Sequence, residues 1–353
     1  LKDLGKPEEA VANYHKALAL EPNFAEAHSN LGNEYKEIGR LNEAVAHYHK
    51  ALAIKPDYAE VHSNLGNALK ELGRLDEAVA SYHKALAIKP NFVEAHYNLG
   101  VALKDLGRLD AAVIHYHKAL AINPDYIEAH INLGNALHGL RKLDEGIGSY
   151  QKALAIRPDL AEAHSNLGNI YQDQELLDEA VTSYHKALAI KPDYAEAHNN
   201  LGIAFQKLGK LDEAVASYHR ALAVKPDYAK AGINLLLALL YVPGLTPKEL
   251  FAEHLRFSEN HTRDIAPPAE GLTNDPTPDR RLRIGYLSSD FLNHPVGRNI
   301  LPLLTSHDRV KFEVYCYADV MRPDGITEKF RSSVDHWHTI VGKSDAEVAE
   351  MVR

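Results

Sequence analysis

Two sets of residues in this 353-residue sequence have the types and spacing to do chemistry. The first is a column of asparagines 34 residues apart, Asn30, Asn64, Asn98, Asn132, Asn166 and Asn200, continued by Asn234. A side-chain amide carries a donor and an acceptor, as a peptide unit does. A regular row of such amides can therefore grip an extended polypeptide by its backbone without reading its side chains. The same amide can instead tie its own helix to the next. Asparagine is a mediocre helix former, so its recurrence inside a helix calls for one of these two reasons. Asn33, Asn67, Asn135 and Asn169 stand three residues further on, hence on the same helical face. The second set lies in the stretch Ser289–Arg298, SDFLNHPVGR. His294 could exchange a proton or hydrogen-bond a hydroxyl near neutral pH, with Asp290 orienting it. The alternative is an ordinary loop histidine stiffened by Pro295. The sequence contains no P-loop, GxGxxG, HExxH or GxSxG pattern.

The asparagine column belongs to a 34-residue unit. It runs first from Ala25 to Tyr58 and recurs without insertion from Ala59, Val93, Ile127, Ala161 and Ala195. Position 7 is Leu, position 8 Gly, position 24 Tyr, position 27 Ala and position 32 Pro, and position 20 is small. Small residues let helices approach closely, and the proline ends the second helix of each unit. The period and pattern predict a tetratricopeptide α–α superhelix, with six full units over 25–228 and partial ones at both ends. Position 15 is glycine in most units, but the fourth has Arg141 there and the fifth reads Gln174-Glu175-Leu176-Leu177 across the turn. Local irregularity is expected at both. The chain opens at position 11 of a unit, as though cut at its N-terminus.

Beyond Tyr228 the pattern decays. Ala229–Tyr241 reads as a last helix of the first kind, and Thr246-Pro247 opens another through about His261. Pro267, Pro268, Pro276 and Pro278 then mark a connector. Leu282–Ser288 and Phe312–Ala318 read as buried strands, with a third near Trp337–Val341 and helices near Arg298–Ser306, Thr327–Val334 and Ser344–Arg353. Strand and helix alternate as at the start of a parallel, Rossmann-like sheet, whose ligands bind at the C-terminal strand ends. The expected divisions are 1–240 for the repeats, 241–280 for the connector and 281–353 for the incomplete α/β lobe. The class is mainly α.

The formal charge of −9, from 39 basic and 48 acidic residues, is dispersed through the units, which argues against nucleic acid or an anionic membrane as partner. No apolar run is long enough to cross a bilayer. Cys316 is the sole cysteine, which excludes an intrachain disulfide and suits a reducing compartment. Most of the 21 histidines repeat at unit positions 4 and 25. Same-position histidines lie at least a helix spacing of roughly 8–10 Å apart, too far to share a metal ion. The position-4 rings are expected to be half buried with one ring nitrogen hydrogen-bonded.

Units written AEAHSNLGN…YHKALAIKPDY, followed by LRIGYLSSDFLNHPVGR and FEVYCYADVMRPD, resemble the O-linked N-acetylglucosamine transferases of glycosyltransferase family 41, bacterial members more closely than animal ones. The resemblance implies a cytoplasmic, metal-independent enzyme with two GT-B-type lobes. It would transfer a sugar from UDP-GlcNAc, or another UDP- or GDP-sugar, to Ser and Thr hydroxyls of proteins. Plant relatives of similar architecture transfer fucose. In the family an asparagine ladder in the superhelix holds the acceptor in extended form. It maps onto Asn30, Asn64, Asn98, Asn132, Asn166, Asn200 and Asn234, and the loop histidine maps onto His294. The resemblance puts the donor-binding lobe outside this chain, so the chain is expected to bind acceptor peptides without transferring sugar. A homodimer through the convex face is a further expectation. A non-enzymatic peptide-binding scaffold is the rival reading.

Overall fold

A computed structural model describes residues 7–262, Thr277 and 280–352. The chain forms two compact units, residues 1–265 and 266–353. The first is a run of helical hairpins. Helix α1 (Pro7–Leu20) is followed by six pairs: α2 (Ala25–Glu37) with α3 (Leu41–Ile54), α4 (Ala59–Glu71) with α5 (Leu75–Ile88), α6 (Val93–Asp105) with α7 (Leu109–Ile122), α8 (Ile127–Gly139) with α9 (Leu143–Ile156), α10 (Ala161–Asp173) with α11 (Leu177–Ile190), and α12 (Ala195–Lys207) with α13 (Leu211–Val224). Helices α14 (Ala229–Leu239) and α15 (Pro247–Thr262) complete the unit. Each pair packs within itself and against the next, as the 34-residue period requires.

One contact sets the geometry of every hairpin. The position-24 tyrosine of the second helix, Tyr48, Tyr82, Tyr116, Tyr150, Tyr184 or Tyr218, is fully buried. Its ring lies on the position-8 glycine of the first helix. A Cβ on Gly32, Gly66, Gly100, Gly134, Gly168 or Gly202 would come within 2.5–2.8 Å of that ring. Only glycine leaves room there, which is why a residue unfavourable inside helices recurs in all six.

The position-4 histidines lie deeper than half buried, with His28, His62, His96, His130 and His198 at 5–7% exposure. Each ring, including that of the more accessible His164, places Nε2 2.8–3.1 Å from the carbonyl of the preceding unit's position-32 proline. The carbonyl can only accept, so Nε2 donates and Nδ1 is left as an acceptor. In two units a position-23 histidine answers it, His47 to His28 and His115 to His96, each pair 3.1 Å apart.

The two turns lacking glycine are regular, against expectation. Arg141 (φ 60°) and Glu175 (φ 59°) take the same left-handed conformation as Gly39, Gly73, Gly107 and Gly209. The hairpins on either side fix the turn, and the residue bears a backbone cost of about 1–2 kcal/mol. Surface ion pairs, Arg141 to Asp173 at 2.6 Å and Glu175 to Lys207 at 2.9 Å, offset part of it.

In the second unit three parallel strands, β1 (Leu282–Ser288), β2 (Phe312–Ala318) and β3 (His336–Thr339), run in the order β1-β2-β3. Helices α16 (Pro295–Ser306) and α17 (Gly325–Ser332) make the crossovers, and α18 (Asp345–Val352) follows β3. Val314, Cys316 and Ala318 point from one face of β2 into a core with Phe291, Leu304 and Phe330. Burial pushes the Cys316 thiol up to about 12, so it is inert filler. Helix α16 starts three residues before the expected Arg298, because His294 caps it and Pro295 takes the first helical position. The third strand is shifted from 337–341 to 336–339. Apart from Thr277, the proline-rich stretch 266–279 lies outside the described residues.

Two outcomes follow for stability. Burial, then nearby Lys50 and His28, holds His47 at about 4, and burial with His96 and Lys118 does the same for His115. The unfolded chain takes up these protons near the ordinary 6.5 and the folded chain only near 4. Stability is therefore full above about pH 6.5 and is lost as pH falls toward 4. The urea midpoint should drop across that window, and the His47→Gln/His115→Gln double variant should flatten the profile. Separately, Arg141→Gly and Glu175→Gly should each relieve left-handed strain, raising the Tm and adding about 1 kcal/mol or less of stability after loss of the ion pair.

Candidate functional site

The first helices of the hairpins present the asparagine column on one face, and the core tyrosines reach that face from beneath. Tyr48, Tyr82, Tyr150 and Tyr184 donate their hydroxyls to Oδ1 of Asn33, Asn67, Asn135 and Asn169, at 2.5–2.8 Å. Three of these same Oδ1 atoms accept a second bond from the next unit's position-6 amide. Asn64 Nδ2 reaches Asn33 at 3.1 Å, Asn166 reaches Asn135 at 3.1 Å and Asn200 reaches Asn169 at 2.9 Å. At these three position-6 amides the tie to the preceding unit takes one N–H and leaves the second, and Asn200 Oδ1 also accepts the Asn199 Nδ2 at 3.1 Å.

Asn234 closes the column by donating to Asn199 at 3.0 Å. Asn30 is exposed and Asn98 half buried, and neither has a hydrogen-bond partner among the described residues. Between the last units the face forms a groove of about 590 Å³ lined by Asn166, Asn169, Asn199, Asn200 and Asn234, with Tyr194 and Tyr228 on its walls.

The position-9 residues were read from the sequence only as companions on the same face. Their bridging role rests on contacts 15 and 31 residues apart, which no local pattern announces. Where position 9 is not asparagine the relay changes. Val101 leaves the buried Tyr116 hydroxyl without a partner among the described residues, and Ile203 leaves Tyr218 to donate to Gln206 at 2.8 Å.

In the second unit, the loop after β1 brings His294 and Asp290 together at the C-terminal edge of the sheet. His294 Nδ1 is 3.7 Å from Asp290 Oδ2 and accepts the Val296 N–H at 3.3 Å. With Nδ1 accepting, the neutral ring carries its proton on Nε2 and presents a donor outward. For that ring to take a proton at Nε2, the Val296 bond must open so that Nδ1–H can turn to Asp290.

Three further residues build this loop. A Cβ on Gly297 would collide with the carbonyls of Asp290 and Leu292, so the loop folds back onto α16 only with glycine there. Arg298 Nε holds Asn293 Oδ1 at 2.9 Å. Asp324, missed as a site residue, accepts the Asn293 N–H at 2.7 Å on one oxygen and caps α17 through Ile326 and Thr327 on the other. These backbone bonds, from Thr327 first and then Asn293, hold its carboxyl below the usual carboxylate range. The D-x-x-T spacing signalled the cap; the link across 31 residues to the histidine loop had no local sign. Among the described residues no group of three or more His, Cys, Asp or Glu side chains is placed to hold a metal ion, and no helix is long and apolar enough to cross a membrane.

The repeat geometry is matched by known families. TPR repeat models match residues 1–36, 32–73, 66–107, 102–140, 142–175 and 169–209, and a tetratricopeptide model matches 195–228. The chain belongs to the tetratricopeptide repeat family. Downstream of these tetratricopeptide units, a glycosyl transferase family 41 model matches residues 262–344. The chain is 34% identical over 122 residues to a protein of Arabidopsis thaliana named probable UDP-N-acetylglucosamine–peptide N-acetylglucosaminyltransferase SPINDLY, a match taking in 33% of this chain and 13% of that relative. A mutant O-GlcNAc transferase of Thermobaculum terrenum is 31% identical, with a TM-score of 0.46 over 64% of this chain and 43% of that one. The Cut9–Hcn1 hetero-tetramer of APC/C aligns at a TM-score of 0.53 and 18% identity, over 67% of this chain and 46% of the other, and shares the fold alone.

Asn135 accepts from two groups and Asn67 from one. Asn135→Ala should therefore destabilise the tetratricopeptide array by about 1–3 kcal/mol, since it strands a fully buried hydroxyl and frees Asn166. Asn67→Ala should cost less. Urea unfolding of the two variants gives the ranking.

Proposed function

We propose that the tetratricopeptide array holds an extended segment of an acceptor protein for O-glycosyl transfer from a UDP-sugar, carried out by a family 41 catalytic region that begins in the second unit. The observation that carries this is the half-satisfied amide column. Asn64 and Asn166 each spend one N–H on the neighbouring unit and keep a donor and an acceptor on the groove side. A peptide unit offers the matching pair. Asn30, Asn98, Asn200 and Asn234 continue the ladder, while Asn132 is committed to other partners. The similarity of residues 262–344 to family 41, together with the names of its relatives, supplies the reaction class and favours UDP-GlcNAc as donor. His294 is the residue of the loop nearest to such chemistry. In the present geometry its Nε2–H would position an acceptor hydroxyl or a sugar oxygen, with Asp290 beside it.

Binding of unstructured Ser- and Thr-containing peptides, followed by fluorescence anisotropy, tests the ladder. Replacing Asn64, Asn166 and Asn200 together with Ala removes three rungs and should weaken binding at least about tenfold. The Tm should fall by only a few degrees, because these amides are half exposed. Unchanged affinity would remove the ladder from acceptor binding.

A further inference from the structure

The ladder is broken at one step, between the third and fourth units. Position 5 is Ser29, Ser63 and Ser165 in other units but Tyr97 in the third, and position 9 there is Val101 instead of asparagine. Tyr97 lies half buried against Tyr126, with ring centroids 4.8 Å apart, and against Tyr116 at 6.2 Å. Its hydroxyl oxygen accepts from Asn132 Nδ2 at 3.0 Å. Asn132 also donates to the Glu128 carbonyl at 3.0 Å, and its Oδ1 accepts Lys104 Nζ at 3.2 Å. Both N–H groups of Asn132 are therefore spent. It has none left for the carbonyl of a bound chain, unlike Asn64 and Asn166.

Positions 5, 6, 9 and 34 line the groove in the fifth and sixth units. By the repeat, the same wall in the third unit and the start of the fourth is built from Tyr97, Val101, Tyr126 and Ile131. The last step has apolar walls too, Ile203 and Ile233 with Tyr194 and Tyr228, but Asn200 and Asn234 each keep an N–H there; the step at Tyr97 is the one where an aromatic ring stands at position 5 and the position-6 amide is spent.

We propose that this step reads one apolar side chain of the bound polypeptide, and that Asn132 serves as a brace for Tyr97 and is no rung of the ladder. Backbone amides before and after the step fix the register of the segment without regard to sequence. At the step no amide competes for the backbone, and the Tyr97 and Tyr126 rings offer a face for an aliphatic or aromatic side chain. The array then selects among extended segments by one residue at a set position. This rests on the peptide-holding role proposed above.

The test is selection of a displayed library of unstructured peptides of about 15 residues, long enough to span roughly 50 Å, on the whole chain. The enriched peptides should share one apolar position and no other. With one of them synthesised, Asn132→Ala should change affinity less than about twofold and Asn166→Ala should weaken it about fivefold, the worth of one hydrogen bond. The Tyr97→Ser/Val101→Asn variant restores the pattern of the other units. It should keep binding but lose the apolar preference, its folding checked by thermal melting. Enrichment with no apolar position, or equal losses at Asn132 and Asn166, would overturn the proposal while leaving the ladder intact. No enrichment, or affinity indifferent to both asparagines, would overturn the ladder as well.

Discussion

The contact of a tyrosine ring on a bare glycine backbone is the constraint on which the repeat array depends. It brings the two helices of each hairpin close enough that only glycine fits at position 8, and it buries six tyrosine rings completely. A buried hydroxyl must find a partner, since stranding one costs about 1–3 kcal/mol. In four hairpins it finds the position-9 asparagine, which is then held with its oxygen turned inward. That same oxygen is what the next unit's position-6 amide can reach. The core contact thus fixes an amide on the surface two steps away and aligns the column from one unit to the next.

The third unit shows what happens when this chain of consequences is cut. Valine at position 9 leaves the Tyr116 hydroxyl without a partner among the described residues, and the following Asn132 turns to Tyr97 instead. Two departures in one unit, Tyr97 and Val101, therefore strand a core hydroxyl and redirect the groove amide beside it, while the Tyr116 ring keeps its place on Gly100. The histidines form a second linked series beside the first. Each position-4 ring donates to a proline carbonyl of the preceding unit, so the residue that ends one hairpin is also the anchor of the next.

Much of this architecture was legible in the sequence because it is local or periodic. The period located every hairpin, β-branched and aromatic content located β1 and β2 at their observed limits although β1 has no buried residue, and the glycine at position 8 announced close packing. The regular turns at Arg141 and Glu175 were not legible, since single-residue preference argues against a left-handed arginine or glutamate while the flanking hairpins impose it. Of the candidate sites, the types and positions of the asparagines and of His294 were readable. Their partners were not. The Asn–Asn ties span 31 residues, the Tyr–Asn ties 15, and the Asp324 brace 31. Whether an amide keeps an unspent N–H or has used both depends on those partners alone, which is why seven equivalent asparagines in the sequence become inequivalent in the fold.

The central claim is that core tyrosine and groove amide belong to one network through the asparagine between them. A double-mutant cycle between Tyr48→Phe and Asn64→Ala, read by urea unfolding, addresses it most directly. Both side chains donate to Asn33 Oδ1, at 2.8 and 3.1 Å. The account predicts a coupling energy of about 0.5–1.5 kcal/mol between them. Additivity within about 0.3 kcal/mol would contradict it and would leave the ladder as a row of independent surface amides.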